Sequence, residues 1–234
     1  MSGFTFLNLA MLQLPGQSAP DLSPMEWLAQ MWNDGGWMMW FLGTAFVVGV
    51  VIIIWKLIDL GMTSTRTKQV LHDVDERLAA HDVQGAMVAA RESDTPAGRI
   101  LLAGLERHGE GSERVMKAIE NVGLIQMASL EKGLVWLATI TNIAPLLGFL
   151  GTVIGMIVAF QNIEAAGEVE ATLVAGGIKI ALITTATGLI IAIPMSIMHN
   201  YFVSKVDRMV IDMEESAQRL IDTLQEIGGD KVRA

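Results

Sequence analysis

Hydroxyl side chains recur inside two of the most apolar stretches of this chain. Residues 138–160 read ATITNIAPLLGFLGTVIGMIVAF, with Thr141 and Thr152 among uncharged residues, and residues 173–202 carry Thr184 and Thr185. A hydroxyl offers one donor and two acceptor lone pairs. In an apolar medium such a group can solvate a passing proton or cation. It can equally bond a carbonyl of its own helix and pack. At helical spacing Thr141, Pro145, Gly148, Thr152, Gly155 and Ala159 share one face, opposite Leu146, Leu150, Val153, Ile154 and Ile157. Gly177, Ala181, Thr184, Thr185, Gly188 and Ala192 fall in a second band of roughly 100°. Two such faces can meet and border a polar seam. The glycines at 148, 151, 155, 177 and 188, with Ala181, are the candidates for close packing. Thr141, Thr152, Thr184 and Thr185, with Pro145 as a helix irregularity, are the candidates for an ion path. The residues alone leave packing and ion access both open.

Little else points to chemistry. The four histidines, His72, His81, His108 and His199, stand apart without a ligand pair, and the chain has no cysteine. Asp73, Asp75 and Glu76 lack the glycine and spacing of a calcium loop. No glycine-rich turn offers a phosphate cradle, so neither an enzyme, a metal site nor a cofactor is expected. The net charge of −9 supplies no basic surface for nucleic acid. No carboxylate stands inside the apolar stretches. Lys179 is the one charge there, and an ionisable residue in a span is a functional candidate by default. It lies about two turns from the outer end, however, and points roughly 160° away from Ala181 and Gly188. The expectation is that it snorkels to the interface, toward Glu168 or Glu170.

Composition dictates the elements that must position these groups. At 52% hydrophobic and only 18% charged, the 234 residues are too apolar for an ordinary soluble domain. A bilayer crossing takes about 20 apolar residues. Three segments meet that length, and the chain reads as an all-α membrane protein with three transmembrane helices and long cytoplasmic helical extensions. Residues 1–36 form an outer segment. Its apolar run at 4–14 lacks a preceding cation and makes a poor signal peptide. Ser23, Pro24 and Glu26 predict a capped, short interfacial helix that ends at Gly35 and Gly36. The first span is 37–56, with Trp37, Trp40 and Trp55 as interfacial anchors. Residues 57–132 are a charged helical region into which the first span runs on through Val70, Val74 and Leu78. Thr95 and Pro96 start a helix there, and Ser112 starts another, with Val115, Ile119, Leu124 and Met127. No strong breaker separates that last helix from the second span at 133–160, which predicts one rod of about 70 Å. A short loop at 161–172 leads to the third span at 173–202. A tail at 203–234 follows, with Val206, Met213, Ala217, Leu220, Leu224 and Ile227 at coiled-coil-like spacing until Gly228 and Gly229 stop it.

Orientation comes from the cations. Of the sixteen Lys and Arg, ten lie in 56–132 and five in 205–233, the remaining one being Lys179. None lies in 1–36 or 161–172. The positive-inside rule therefore places the N-terminus and the 161–172 loop outside, in the periplasm, and the middle region and C-terminus in the cytoplasm.

Against this background, residues 142–156 (NIAPLLGFLGTVIGM) closely resemble the second-span signature of the MotA/TolQ/ExbB proton-channel family. Residues 181–189 (ALITTATGL), followed by Ala192, Ile193 and Pro194, resemble its third-span signature. The likeness covers about residues 36–227, and three spans resemble the ExbB/TolQ branch. The resemblance implies a pentamer of this subunit around a dimer of a smaller, single-span ExbD/TolR-like protein. That partner supplies an intramembrane aspartate, and ion flow past it drives rotation. It also implies that the family's two pore threonines fall on Thr152 and Thr185. Many ExbB and TolQ members carry a glutamate early in the third span. This chain has Gly177, Ile178, Lys179 and Ile180 there, which leaves H⁺ and Na⁺ both open. The expected function is a stator-type channel subunit of an inner-membrane motor that couples the ion-motive force to envelope work, with a TonB-like or other envelope protein as a possible further partner. The alternative is an oligomeric scaffold that anchors partners and conducts nothing.

Overall fold

The computed structural model describes residues 23–167 and 171–233, and all regular structure among them is helical. Two sequence expectations, the 4–14 run and the pairing of Lys179 with Glu168 or Glu170, fall on residues outside that description.

The chain enters through α1 (Pro24–Asp34). The Ser23 hydroxyl accepts from the Glu26 amide while the Glu26 carboxylate accepts from the Ser23 amide, so both orphan donors are satisfied. These bonds hold the Glu26 carboxyl below the usual carboxylate range. Gly36, at φ 69°, turns the chain back into α2 (Met38–Ala79). Trp32 of α1 stacks edge-on against Trp40, with 5.5 Å between ring centroids. The fold-back brings Asp34 to the third span, where its Oδ2 lies 2.5 Å from Lys179 Nζ. Lys179 thus finds its counter-charge on α1.

The first 20 or so residues of α2 are the first span. Phe41, Val47, Val51 and Ile54 are exposed there, as a lipid-facing surface requires. The same helix runs on without a break to Ala79, and its buried side becomes Leu60, Val70, Leu71, Val74 and Leu78. Against it pack α3 (Val83–Glu92) and α4 (Pro96–Leu105), and α5 (Ser112–Glu131) packs in turn on α4. The predicted start at Thr95 is present, its hydroxyl accepting from the Gly98 amide. Helix α3 had no expectation attached. Its signal is the Asp82 side chain, which accepts from the Gly85 amide as an N-cap after the left-handed His81. In α5 the buried side is Val115, Ala118, Ile119, Gln126 and Leu130. The expected Leu124 is 68% exposed, because the stripe follows the four-residue steps from 115 and 119 and bypasses 124.

The expected rod from 112 onward is two helices. Lys132 leaves the helical region at ψ 128°, and Gly133 adopts φ 92°. Without a side chain, Gly133 can sit against the Trp55 ring, where a Cβ would come within 2.9 Å. The second span is α6 (Leu134–Ala166), with Pro145 inside it. Gly167, at φ 71°, caps it by donating to the Ile163 carbonyl.

The third span begins α7 (Ala171–Arg233), a single helix of 63 residues that continues through Gly228 and Gly229. Two glycines lower helix propensity by about 1 kcal/mol each but do not forbid the helix. Val206, Met209, Met213, Ala217 and Leu220 are buried against α2, α4 and α5. On its flank Arg219 pairs with Asp75 of α2 at 3.4 Å. Burial pushes the Asp75 carboxyl above its usual range, with the Arg219 charge pulling against it. Among the described residues three helices, α2, α6 and α7, are long and apolar enough to cross a membrane, and the chain is an all-α membrane protein.

Candidate functional site

Helices α6 and α7 run antiparallel, and backbone meets backbone along their contact. A Cβ on Gly148 would lie 2.9 Å from the Thr184 carbonyl oxygen and 3.1 Å from the Thr185 Cα. One on Gly155 would lie 2.8 Å from the Gly177 oxygen, and one on Gly188 would lie 2.6 Å from the Ala144 oxygen. Gly151 faces the Thr184 side chain, and Gly177 faces Ala159. Ala181 is buried beside Gly155. Lipid tails are as apolar as leucine, so close approach of small residues is what holds spans together.

The hydroxyls divide by position. Thr184 is fully buried in the contact, and its Oγ1 lies 3.0 Å from both the Ile180 and Ala181 carbonyls. Thr141 donates to Leu137 at 2.9 Å in its own helix. Thr152 and Thr185 are half-buried at the edge of the contact. Thr152 donates to the Phe149 carbonyl at 2.6 Å, while Thr185 donates across the helix pair to the Gly148 carbonyl at 3.1 Å. That cross-helix acceptor was not legible in the sequence, because a backbone carbonyl carries no residue signal. Pro145, also half-buried, has no N–H, which leaves the Thr141 carbonyl without its helical donor.

One flank of the seam is closed. There α2 packs into the groove, with Gly49 against Met195 of α7 and Ile140 of α6. Thr152, Pro145 and Thr185 lie toward the other flank. Thr185 is level with Gly148, and Thr152 lies about one turn further toward Gly155, about 6 Å along the axis. The two hydroxyls therefore border one strip at successive turns. The strip contains no carboxylate. No group of three metal-ligating side chains occurs among the described residues.

Residues 92–215 match the MotA/TolQ/ExbB proton channel family. The chain belongs to that family. The match covers more than half of the sequence and contains α4, α5, α6 and the α7 segment that forms the seam. Among individual relatives, the chain is 29% identical over 189 residues to a Methanothermobacter thermautotrophicus protein described as a biopolymer transport protein ExbB homolog, covering 79% of this chain and 66% of the relative. It is 41% identical over 85 residues to the biopolymer transport protein ExbB of Aquifex aeolicus, covering 36% of this chain and 57% of the relative. It is 35% identical over 103 residues to the Tol-Pal system protein TolQ of Haemophilus influenzae, covering 44% of each. The chain thus spans between 44% and 66% of the length of these relatives. Both named branches, ExbB and TolQ, are represented, which places this member of the MotA/TolQ/ExbB family on the ExbB/TolQ-like side.

Proposed function

We propose that this chain is the channel-forming stator subunit of an ExbB/TolQ-like inner-membrane motor, coupling a proton- or sodium-motive force to mechanical work on the cell envelope. The observation that carries the reading is the asymmetry of the α6/α7 seam. One flank is sealed by α2, while the other presents Thr152 and Thr185 at successive turns with no carboxylate in reach. A hydroxyl strip of this kind can lower the cost of a carboxyl group that changes charge in the bilayer, and the group itself must come from another chain. An ExbD/TolR-like single-span dimer inside a pentamer of this subunit is the partner that the ExbB/TolQ likeness supports. The Lys and Arg distribution supports α1 and the 161–172 connection on the outer side, with α3 to α5 and the end of α7 in the cytoplasm.

Valine nearly matches threonine in volume but lacks the hydroxyl. Thr152→Val and Thr185→Val are therefore expected to leave the oligomer intact by native mass spectrometry while abolishing ion flux by the reconstituted complex. Full flux in both variants would refute the path. Loss of the oligomer would assign the threonines to packing and favour a non-conducting scaffold.

A further inference from the structure

We propose that His199, with Glu131 and Asp207, forms the inner proton port of the threonine strip. The inference rests on the channel reading above and names the group through which that path reaches water. His199 lies on α7 fourteen residues beyond Thr185. At 100° per residue the two side chains project within about 40° of each other, separated by about 21 Å along the axis. On α6, Ala138 precedes Thr152 by the same fourteen residues. These two continuations meet. Ala138 and His199 line one cavity of about 290 Å³, on the flank away from α2, together with Val203, Glu131 at the end of α5, and Asp207 on the next turns of α7. The cavity sits where α5 gives way to α6 at Lys132 and Gly133. From mid-span, about 21 Å reaches past the half-thickness of a hydrocarbon core of about 30 Å. The strip thus runs from hydroxyls with no acid beside them to a space that holds several waters, where an imidazole and two carboxylates stand among apolar side chains.

Imidazole is the side chain whose ordinary titration lies nearest neutral pH. The His199 ring is half-buried, and its Nδ1 lies 3.4 Å from the Asn200 amide oxygen, a long contact that does not tie the ring into a strong structural bond. A proton arriving along the strip binds the free ring nitrogen and gives imidazolium. The opposite N–H then releases its proton to the Glu131 or Asp207 carboxylate, or to water in the cavity. This leaves the neutral ring in its other tautomer, and ring rotation or exchange with water resets it. No electron moves and no further reactant is required.

The test uses the full chain, co-purified with its single-span partner and reconstituted into liposomes that hold a pH-sensitive dye. His199→Ala is expected to lower proton flux about tenfold, the neighbouring carboxylates providing a partial bypass of a relay whose loss otherwise costs more. Added imidazole should restore much of that flux. His199→Gln, which keeps a polar side chain of similar reach, should lose flux as His199→Ala does. Thr185→Val should lose flux and gain nothing from imidazole. Wild-type flux in both His199 variants would overturn the port while leaving the strip standing, as would a loss of flux with intact oligomer that imidazole does not relieve. A wild-type complex that carries neither proton nor sodium flux would overturn the channel reading and the port with it, whereas sodium flux without proton flux would overturn the port alone.

Discussion

The two halves of this molecule are held together in opposite ways. Where α6 meets α7 in the spans, the contact is glycine on backbone, and leucines and isoleucines such as Leu146, Ile157, Leu182 and Ile193 point outward. Where α7 meets α2, α4 and α5 beyond the spans, the contact is Leu220, Met213, Val74, Leu101 and Leu105, all buried. The same helix changes packing rule about halfway along because its solvent changes. In water, burying a leucine removes apolar surface from an unfavourable solvent. In lipid that gain vanishes, and contact area between closely spaced backbones is what remains.

Gly151→Leu would strain this contrast most. Even a Cβ at that position overlaps the Thr184 side chain, so a leucine forces α6 and α7 apart. Loss of the folded subunit from mild-detergent extracts is expected, and normal recovery would show that the glycine contact is dispensable. A paired truncation tests the change of rule itself. Leu220→Ala, at a fully buried site in the aqueous half, should destabilise by about 2–5 kcal/mol, read as a drop in thermal midpoint. Leu146→Ala, 65% exposed on the lipid side, should stay within about 0.5 kcal/mol. Equal effects would mean that one packing rule serves both halves. The smallest expected effect is that of Lys179→Gln. Its pair with Asp34 is more than a third exposed at each partner's end on average, and such pairs contribute about 0–1 kcal/mol. Most activity should survive. Complete loss of ion-driven function with the oligomer intact would place Lys179 in the mechanism.

What the sequence revealed follows the same division. The three spans were legible because lipid demands long apolar runs. The starts at Ser23 and Thr95 were legible because capping chemistry is local. The break at Lys132 and Gly133 was hidden, since one glycine in an otherwise helical pattern does not announce a left-handed turn, and the ring it approaches, Trp55, lies 78 residues earlier in the chain. Helix α3 is not legible in the sequence, because its ten residues carry alanines in place of a strong apolar stripe. That Asp34 pairs with Lys179 was hidden, because only the fold-back at Gly36 brings it there from 145 positions away in the sequence. At the seam, spacing placed four threonines on small faces. Only the approach of the helices separated Thr184, enclosed in the contact, from Thr152 and Thr185 on its edge.

The unbroken course of α7 has a mechanical side. From Thr185 to Glu226 the chain advances about 60 Å as one helix, in which Pro194 removes a backbone hydrogen bond without ending the helix, whereas the helix breaks between α5 and α6 at Gly133. A stiff beam magnifies rotation at its root. A tilt of about 5° at Thr185 would displace the level of Glu226 by about 5 Å, roughly one helical turn. The break lets α5 yield separately from α6. Within one subunit, then, α7 is the member that can carry a sub-ångström rearrangement around a hydroxyl to a distant surface as a movement large enough to be felt.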